Sequence, residues 1–284
     1  MTQRYMRNTL LAVSSLLFMS MAKLVVAQTY SFSLPPLRSA VLTAQYWNPI
    51  LDYVGKKAGV TLQLEMARSV SASATAVEQG AYDFNYSYLI FRPRALSQKY
   101  RVILRPRGGD IRSQIVTLEN SSLKSLKDLE GREVGFPSRS GFIAYALPMD
   151  NLLRQKITVK PVFGGNQEGI LGQLMAGQVV AVGVSSQVMK AFAARENLSY
   201  RVIWESRPFD DLPIAVHPRI PAGTVSKIQA AFIAMSNDPE GIKILEASAQ
   251  AVGQKPPYGF IKSSPADYRH FVDFYRNTLV KDLE

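Results

Sequence analysis

From Thr29 to Val216 the hydrophobic period of this chain switches repeatedly between two and about 3.6, and this switching constrains its fold more than any other feature. Strand-like runs fall at residues 29–34, 60–66, 82–86, 100–104, 114–118, 133–136, 158–162, 179–184, 200–205 and 212–216. Helical patterns fall at 39–58, 69–80, 89–98, 142–154, 168–176 and 185–197, with a short one at 125–128 and longer ones over 222–250 and 265–283. Gly59, Gly131 and Gly177 follow helical runs, where a left-handed residue ends a helix at low cost. Pro49 and Pro148 are expected to kink theirs. Strands alternating with helices predict an α/β chain with largely parallel sheets. A chain of 284 residues is long for one core, so two lobes are expected. Ligands of such sheets sit where strand ends face each other across a cleft.

Three successive strand-to-helix junctions carry neutral hydrogen-bond donors. The first is Pro137-Ser138-Arg139-Ser140-Gly141, the second Gly164-Gly165-Asn166-Gln167, and the third Ser185-Ser186-Gln187. The first turn of a helix has unpaired N–H groups and a partial positive charge, so it suits an oxyanion. Hydroxyls at Ser138, Ser140 and Ser185, the Gln167 amide and the Arg139 guanidinium can add donors. Each junction alone is also what an ordinary capped turn needs. Three in succession favour a binding cleft for a small anion. Tyr46 and Tyr86 offer an apolar wall with a hydroxyl, while Trp47 reads as core.

The charge balance agrees. There are 33 Lys+Arg against 22 Asp+Glu, a net +11, which suits an anionic partner. The basic residues are dispersed, so nucleic acid is not expected as a partner. Catalysis is poorly provisioned. The chain has no cysteine and two histidines, His217 and His270, which read as structural, so neither a thiol nucleophile nor a metal site is expected. No GxSxG or HExxH motif is present. Asp210-Asp211 reads as a solvated turn or an interlobe hydrogen bond. No enzyme activity and no cofactor are expected, a periplasmic hydrolase being the weakest alternative.

The N-terminus reads as an export signal. Arg4 and Arg7 precede an apolar run over 10–22, and Val25-Val26-Ala27 offers a cleavage site before Gln28. Lys23 keeps the run short of the ~20 residues of a membrane span. Residues 1–27 are therefore expected to be removed near Ala27 and the rest to be periplasmic.

Together these residues resemble the periplasmic phosphate/phosphite/phosphonate-binding proteins of ABC importers. The resemblance begins at Leu34-Pro-Pro-Leu37 and Tyr46-Trp-Asn-Pro-Ile-Leu-Asp-Tyr-Val54, and passes through Gly80-Ala-Tyr-Asp-Phe84 and Leu123-Lys-Ser-Leu-Lys-Asp-Leu-Glu-Gly131. It continues through the 137–141 turn to Ala176-Gly-Gln-Val-Val-Ala-Val-Gly183 and Ile203-Trp-Glu-Ser206. It implies a two-lobed type II binding protein: residues 28–117 and 207–284 as lobe one, 118–206 as lobe two, and two crossover strands as hinge. A Ser-Thr-Ser-Gly loop of that family matches Ser138-Arg139-Ser140-Gly141, with arginine in place of threonine. Gln167 stands where the family often has histidine, and Ser185 where it often has an acid or amide. Tyr46 matches a family tyrosine and Tyr86 lies near a family aromatic. The implied ligand set is Tyr46, Tyr86, Ser138, Arg139, Ser140, Gln167 and Ser185. The implied partners are a small anionic ligand and an inner-membrane ABC permease or a sensor histidine kinase, with the chain itself a monomer.

Overall fold

The computed structural model describes residues 27–108 and 110–283. Apart from Ala27, the expected export signal lies outside them. Two sheets form, and each nucleates its own lobe. In lobe one, β1 (Thr29–Leu34), β2 (Thr61–Met66) and β3 (Phe84–Tyr86) pair in parallel in the order β2-β1-β3. Strands β4 (Arg101–Pro106), β10 (Ile214–Val216) and β11 (Phe260–Lys262) add antiparallel pairings, giving β11-β4-β10-β3-β1-β2. In lobe two, β6 (Glu133–Phe136) pairs in parallel with β7 (Lys160–Phe163) and β8 (Ala181–Ser185). Strand β5 (Ser113–Leu118) lies antiparallel between β8 and β9 (Tyr200–Glu205). The expected largely parallel sheets are thus antiparallel in part; in lobe two, β5 carries the chain in and β9 carries it out, so the two run in opposite directions.

Periodicity explains the layers. On β1, alternate residues Tyr30, Phe32 and Leu34 are buried against Trp47, Ile50, Leu51 and Val54 of α1 (Ala40–Ala58), spaced three and four apart. Ser39 Oγ caps this helix by accepting from Leu42 N at 3.3 Å, and Gly59 ends it at φ 72°. The helix runs on through Pro49, whose side chain is exposed. The other helices are α2 (Val70–Glu78), α3 (Leu147–Arg154), α4 (Gln167–Met175), α5 (Ser186–Glu196), α6 (Ala222–Ala234), α7 (Pro239–Ala251) and α8 (Arg269–Asn277). Several expected helices are shorter than their apolar patterns. Pro93 leaves only two short 3₁₀ turns in 89–98, and Asp238-Pro239 splits 222–250 by capping a new helix. A π-helical turn over Phe142–Ala146 precedes α3.

The lobe boundary expected between 117 and 118 is corrected by the sheets: β5 belongs wholly to lobe two. The hinge lies in the segments around Ile111 and Phe209, which exchange two backbone hydrogen bonds of 2.8 Å. An aromatic cluster crosses the same joint. Phe142 of lobe two sits 4.4 Å, centroid to centroid, from Phe271 and 5.7 Å from Tyr88 of lobe one.

The last residues also depart from expectation. Beyond α8 the chain leaves lobe one and straps lobe two. Asp150 accepts from Thr278 Oγ1 at 2.9 Å and from Leu279 N at 2.8 Å, Val280 is buried in the lobe-two core, and Tyr145 donates to Asp282 at 2.8 Å. Val280→Ala removes two buried methyl groups at about 0.8 kcal/mol each, so unfolding in urea is expected to show a loss of about 1–2 kcal/mol. A loss below the measurement error would mean that the strap is not packed.

Candidate functional site

A cavity of about 120 Å³ lies between the lobes. Its walls are set by the starts of helices. Leu37 and Arg38 precede α1, Val70 opens α2, Ser138 and Ser140 precede the π-helical turn, Gln167 opens α4, and Ser185 precedes α5. A helix start carries the positive end of the helix dipole, and these starts line one space. At several of them small polar side chains tie down the turn. Ser140 N donates to Ser138 Oγ at 3.2 Å, and Gly169 N to Asn166 Oδ1 at 2.8 Å. Gly164 is required behind the second junction, since a Cβ there would stand 2.7 Å from Ile170 N.

Gln167 is buried, and its Oε1 accepts from Ser185 N at 2.8 Å. That bond orients the amide so that Nε2 is left as donor, with no hydrogen bond among the described residues. The Ser185 hydroxyl, also buried, makes none either. Ser186, in contrast, is used by the hinge: its Oγ accepts from Arg112 N at 3.1 Å, and its N–H donates to Arg112 O at 2.9 Å. Ser140 of lobe two reaches Ser71 of lobe one, their hydroxyl oxygens 3.5 Å apart.

Tyr46 and Tyr86 close the lobe-one side, packed edge-on against Trp47 with centroids 5.2 and 4.8 Å away. Burial, with Asp211 nearby, pushes both phenols well above their ordinary range, so both stay neutral donors. Gln254 hydrogen-bonds Tyr46. Of the expected set, the cavity thus gathers Tyr46, Tyr86, Ser138, Ser140, Gln167 and Ser185.

Arg139 is the correction. It does not line the cavity; its guanidinium pairs with Asp282 of the C-terminal strap and lies 4.8 Å from the Phe163 ring centroid. A turn can show only one of two neighbouring side chains to the cleft, and Ser140 takes that side while Arg139 finds a carboxylate and an aromatic face on the other.

Two charged side chains, Arg38 and Asp211, line the cavity among the described residues, and neither was expected there. Arg38 could have been found by the rule that found the other junctions, because Pro35-Pro36-Leu37-Arg38-Ser39 joins β1 to α1. Asp211 is no solvated turn: it is 4% exposed. It takes an interlobe hydrogen bond from Gln187 of α5, and accepts weakly from Tyr86 at 3.4 Å and from its neighbour Leu212 N. Burial pushes its carboxyl up to about 6, with the hydrogen bonds and Arg38 pulling the other way. His217 and His270 lie outside the cavity lining. Among the described residues there is no cluster able to hold a metal ion and no helix long and apolar enough to cross a membrane.

Comparison with known proteins places this arrangement. The family described as ABC transporter, phosphonate, periplasmic substrate-binding protein matches residues 32–268. A binding protein component of an ABC phosphonate transporter from Pseudomonas aeruginosa superposes with a TM-score of 0.74 at 13% identity, covering 90% of this chain and 91% of that one. PhnD1 from Prochlorococcus marinus, in complex with methylphosphonate, gives 0.71 at 14% identity, covering 88% and 97%. XAC2383 from Xanthomonas citri, bound to ATP, gives 0.67 at 14% identity, covering 88% and 96%. No curated protein sequence matches the chain. The structural likenesses establish the two-lobed type II fold, and the family and its neighbours are solute-binding proteins rather than enzymes. With the family match spanning most of its length, the chain belongs to the periplasmic substrate-binding proteins of phosphonate ABC transporters.

Proposed function

We propose that the protein captures a small oxyanion of the phosphonate, phosphite or phosphate kind between its lobes and hands it to an inner-membrane ABC permease. The observation that carries this is the set of helix starts around one interlobe cavity, with hydroxyl and amide side chains among its lining. Such a site binds without covalent chemistry: donors fixed before the ligand arrives need little reorganisation. Ser138, Ser140, Gln167 and Ser185 hold the oxyanion from lobe two, and Tyr46 and Tyr86 face it from lobe one. The rest of the ligand lies toward Asp211. Closure about the hinge at Ile111 and Phe209 is the signal that the permease reads. The chain acts as a monomer after its leader is cleaved near Ala27. Delivery to a sensor kinase would use the same closed state and differs only in the membrane partner.

A thermal-shift screen tests the ligand. Methylphosphonate, phosphite, phosphate, sulfate and a set of carboxylates are compared at equal ionic strength. A ligand present at 100 times its Kd stabilises by about 2.7 kcal/mol, which corresponds to a rise of roughly 5–10 °C in a chain of this size. The rise is expected with at least one phosphorus oxyanion. A response confined to carboxylates would overturn the phosphonate-like assignment.

A further inference from the structure

Arg38 is a cation for which the fold supplies no partner. It is half-buried in the cavity wall and makes no hydrogen bond or ion pair among the described residues. Several other arginines, the buried Arg92 together with Arg112, Arg139, Arg154, Arg201 and Arg219, each hold a carboxylate, and Arg68, Arg94, Arg101, Arg132, Arg207 and Arg269 are exposed to water. Its position is also unfavourable for the fold alone. It directly precedes the N-cap of α1, a helix of 19 residues with no acid in its first turn. A cation at that end adds to the positive pole of the helix instead of offsetting it. A partly desolvated, unpaired guanidinium at a helix N-terminus costs stability until an anion arrives. Its field reaches Tyr46, Tyr86 and Asp211 in the same wall.

The guanidinium is a planar fork that matches two oxygens of one phosphonate or carboxylate head. Across the cavity stand Ser138 and Ser140, which belong to the other lobe. We propose that Arg38 is the charged anchor of the ligand, gripping its oxyanion head from lobe one while the 138–141 turn holds it from lobe two. This rests on the reading of the cleft given above and deepens it. The ligand class is an anion presenting two oxygens to one fork, and the anchor lies in the first strand-to-helix junction, not in the turn that carries Arg139. Because the head is shared between lobes, Arg38 contributes to closure as well as to affinity.

The test is calorimetry with methylphosphonate and with inorganic phosphate, at low and high sodium chloride, on wild type, Arg38→Ala, Arg38→Gln and Arg38→Lys. Loss of a charge-assisted pair is expected to weaken binding about 10- to 100-fold in the alanine and glutamine variants. The glutamine variant keeps the length and loses the charge, so it separates electrostatics from packing. Lysine restores charge without the fork and is expected to fall between. The salt dependence of affinity flattens in both uncharged variants, which a structural role would not produce. Unliganded melting temperatures of the uncharged variants stay at or slightly above wild type, since no native pair is broken and an unpaired charge is removed. Wild type that binds a probe while the uncharged variants bind it within twofold removes Arg38 as anchor and leaves the cleft standing. Wild type that binds neither these anions nor phosphite nor carboxylates overturns the reading of the cleft and the anchor with it.

Discussion

Replacing Gln167 with glutamate is expected to abolish capture, by at least about 100-fold in affinity, in a protein that still folds. The side chain divides its work between two atoms. Its Oε1 accepts from Ser185 N at 2.8 Å and so fixes the start of α5, while Nε2 is the donor left for the cavity. Glutamate has the same shape and keeps the acceptor, so the α5 start stays satisfied. As the first residue of α4 it even gains from the helix dipole. What changes is the other atom: two N–H donors become a negatively charged oxygen facing the guest. A lost hydrogen bond to a charged group costs about 1.5–3 kcal/mol. Like-charge repulsion adds up to about 4 kcal/mol for charges some 4 Å apart at a near-surface dielectric. Calorimetry with methylphosphonate, paired with the melting temperature of the free protein, reads both effects. Affinity within a few-fold of wild type would show that the Gln167 amide does not touch the ligand.

The contrast between Gln167 and Arg139 explains what the sequence could and could not reveal. Gln167 sits at a helix start after Gly164-Gly165, and its neighbours in sequence largely decide where it points. The same local logic located Ser138, Ser140 and Ser185 at the cavity. Arg139 lies in an equally local motif, but its direction is decided by Asp282, more than 140 residues away, on a strap that periodicity reads as more helix. Arg38 shows the converse failure. It stands at a strand-to-helix junction like the others, but a junction rule that looks for neutral donors passes over a lone basic residue among dispersed lysines and arginines. Its significance comes from what it lacks, a partner, which only the folded chain reveals. The lobe boundary failed for a related reason. Residues 114–118 read correctly as a strand, but periodicity cannot say which sheet a strand joins when its partners β8 and β9 come dozens of residues later. Most of the helix breaks, by contrast, were written in plain view as Pro93 and Asp238-Pro239.

Asp211→Asn is expected to make the free protein more stable at pH 7.5, by up to about 3 kcal/mol, and to remove a pH dependence that wild type shows between about 4 and 6. The folded carboxyl is raised from its ordinary 3.8 to about 6, first by burial. The groups around it do not offset that burial. Arg38 and the hydrogen bonds from Gln187, Leu212 and Tyr86 favour the charge, while the phenols of Tyr46, Tyr86, Tyr88 and Tyr268 remain neutral and Asp210 adjoins it in the chain. Between these two values the folded state keeps a proton that the unfolded chain has released. Stability therefore falls as pH rises through this window, and above it the whole penalty remains, at about 1.4 kcal/mol for every tenfold difference in proton affinity between the folded and unfolded chain. Asparagine has the same outline, can still accept from Tyr86 and Leu212, and never ionises. Urea unfolding from pH 4 to 8 should give curves that nearly meet at the acid end and separate toward neutral pH, with the variant above. Parallel curves would mean that the Asp211 charge is solvated in the free protein. A carboxylate that destabilises the free protein is one that a packed core would discard, and Asp211 stands in the wall of the cavity.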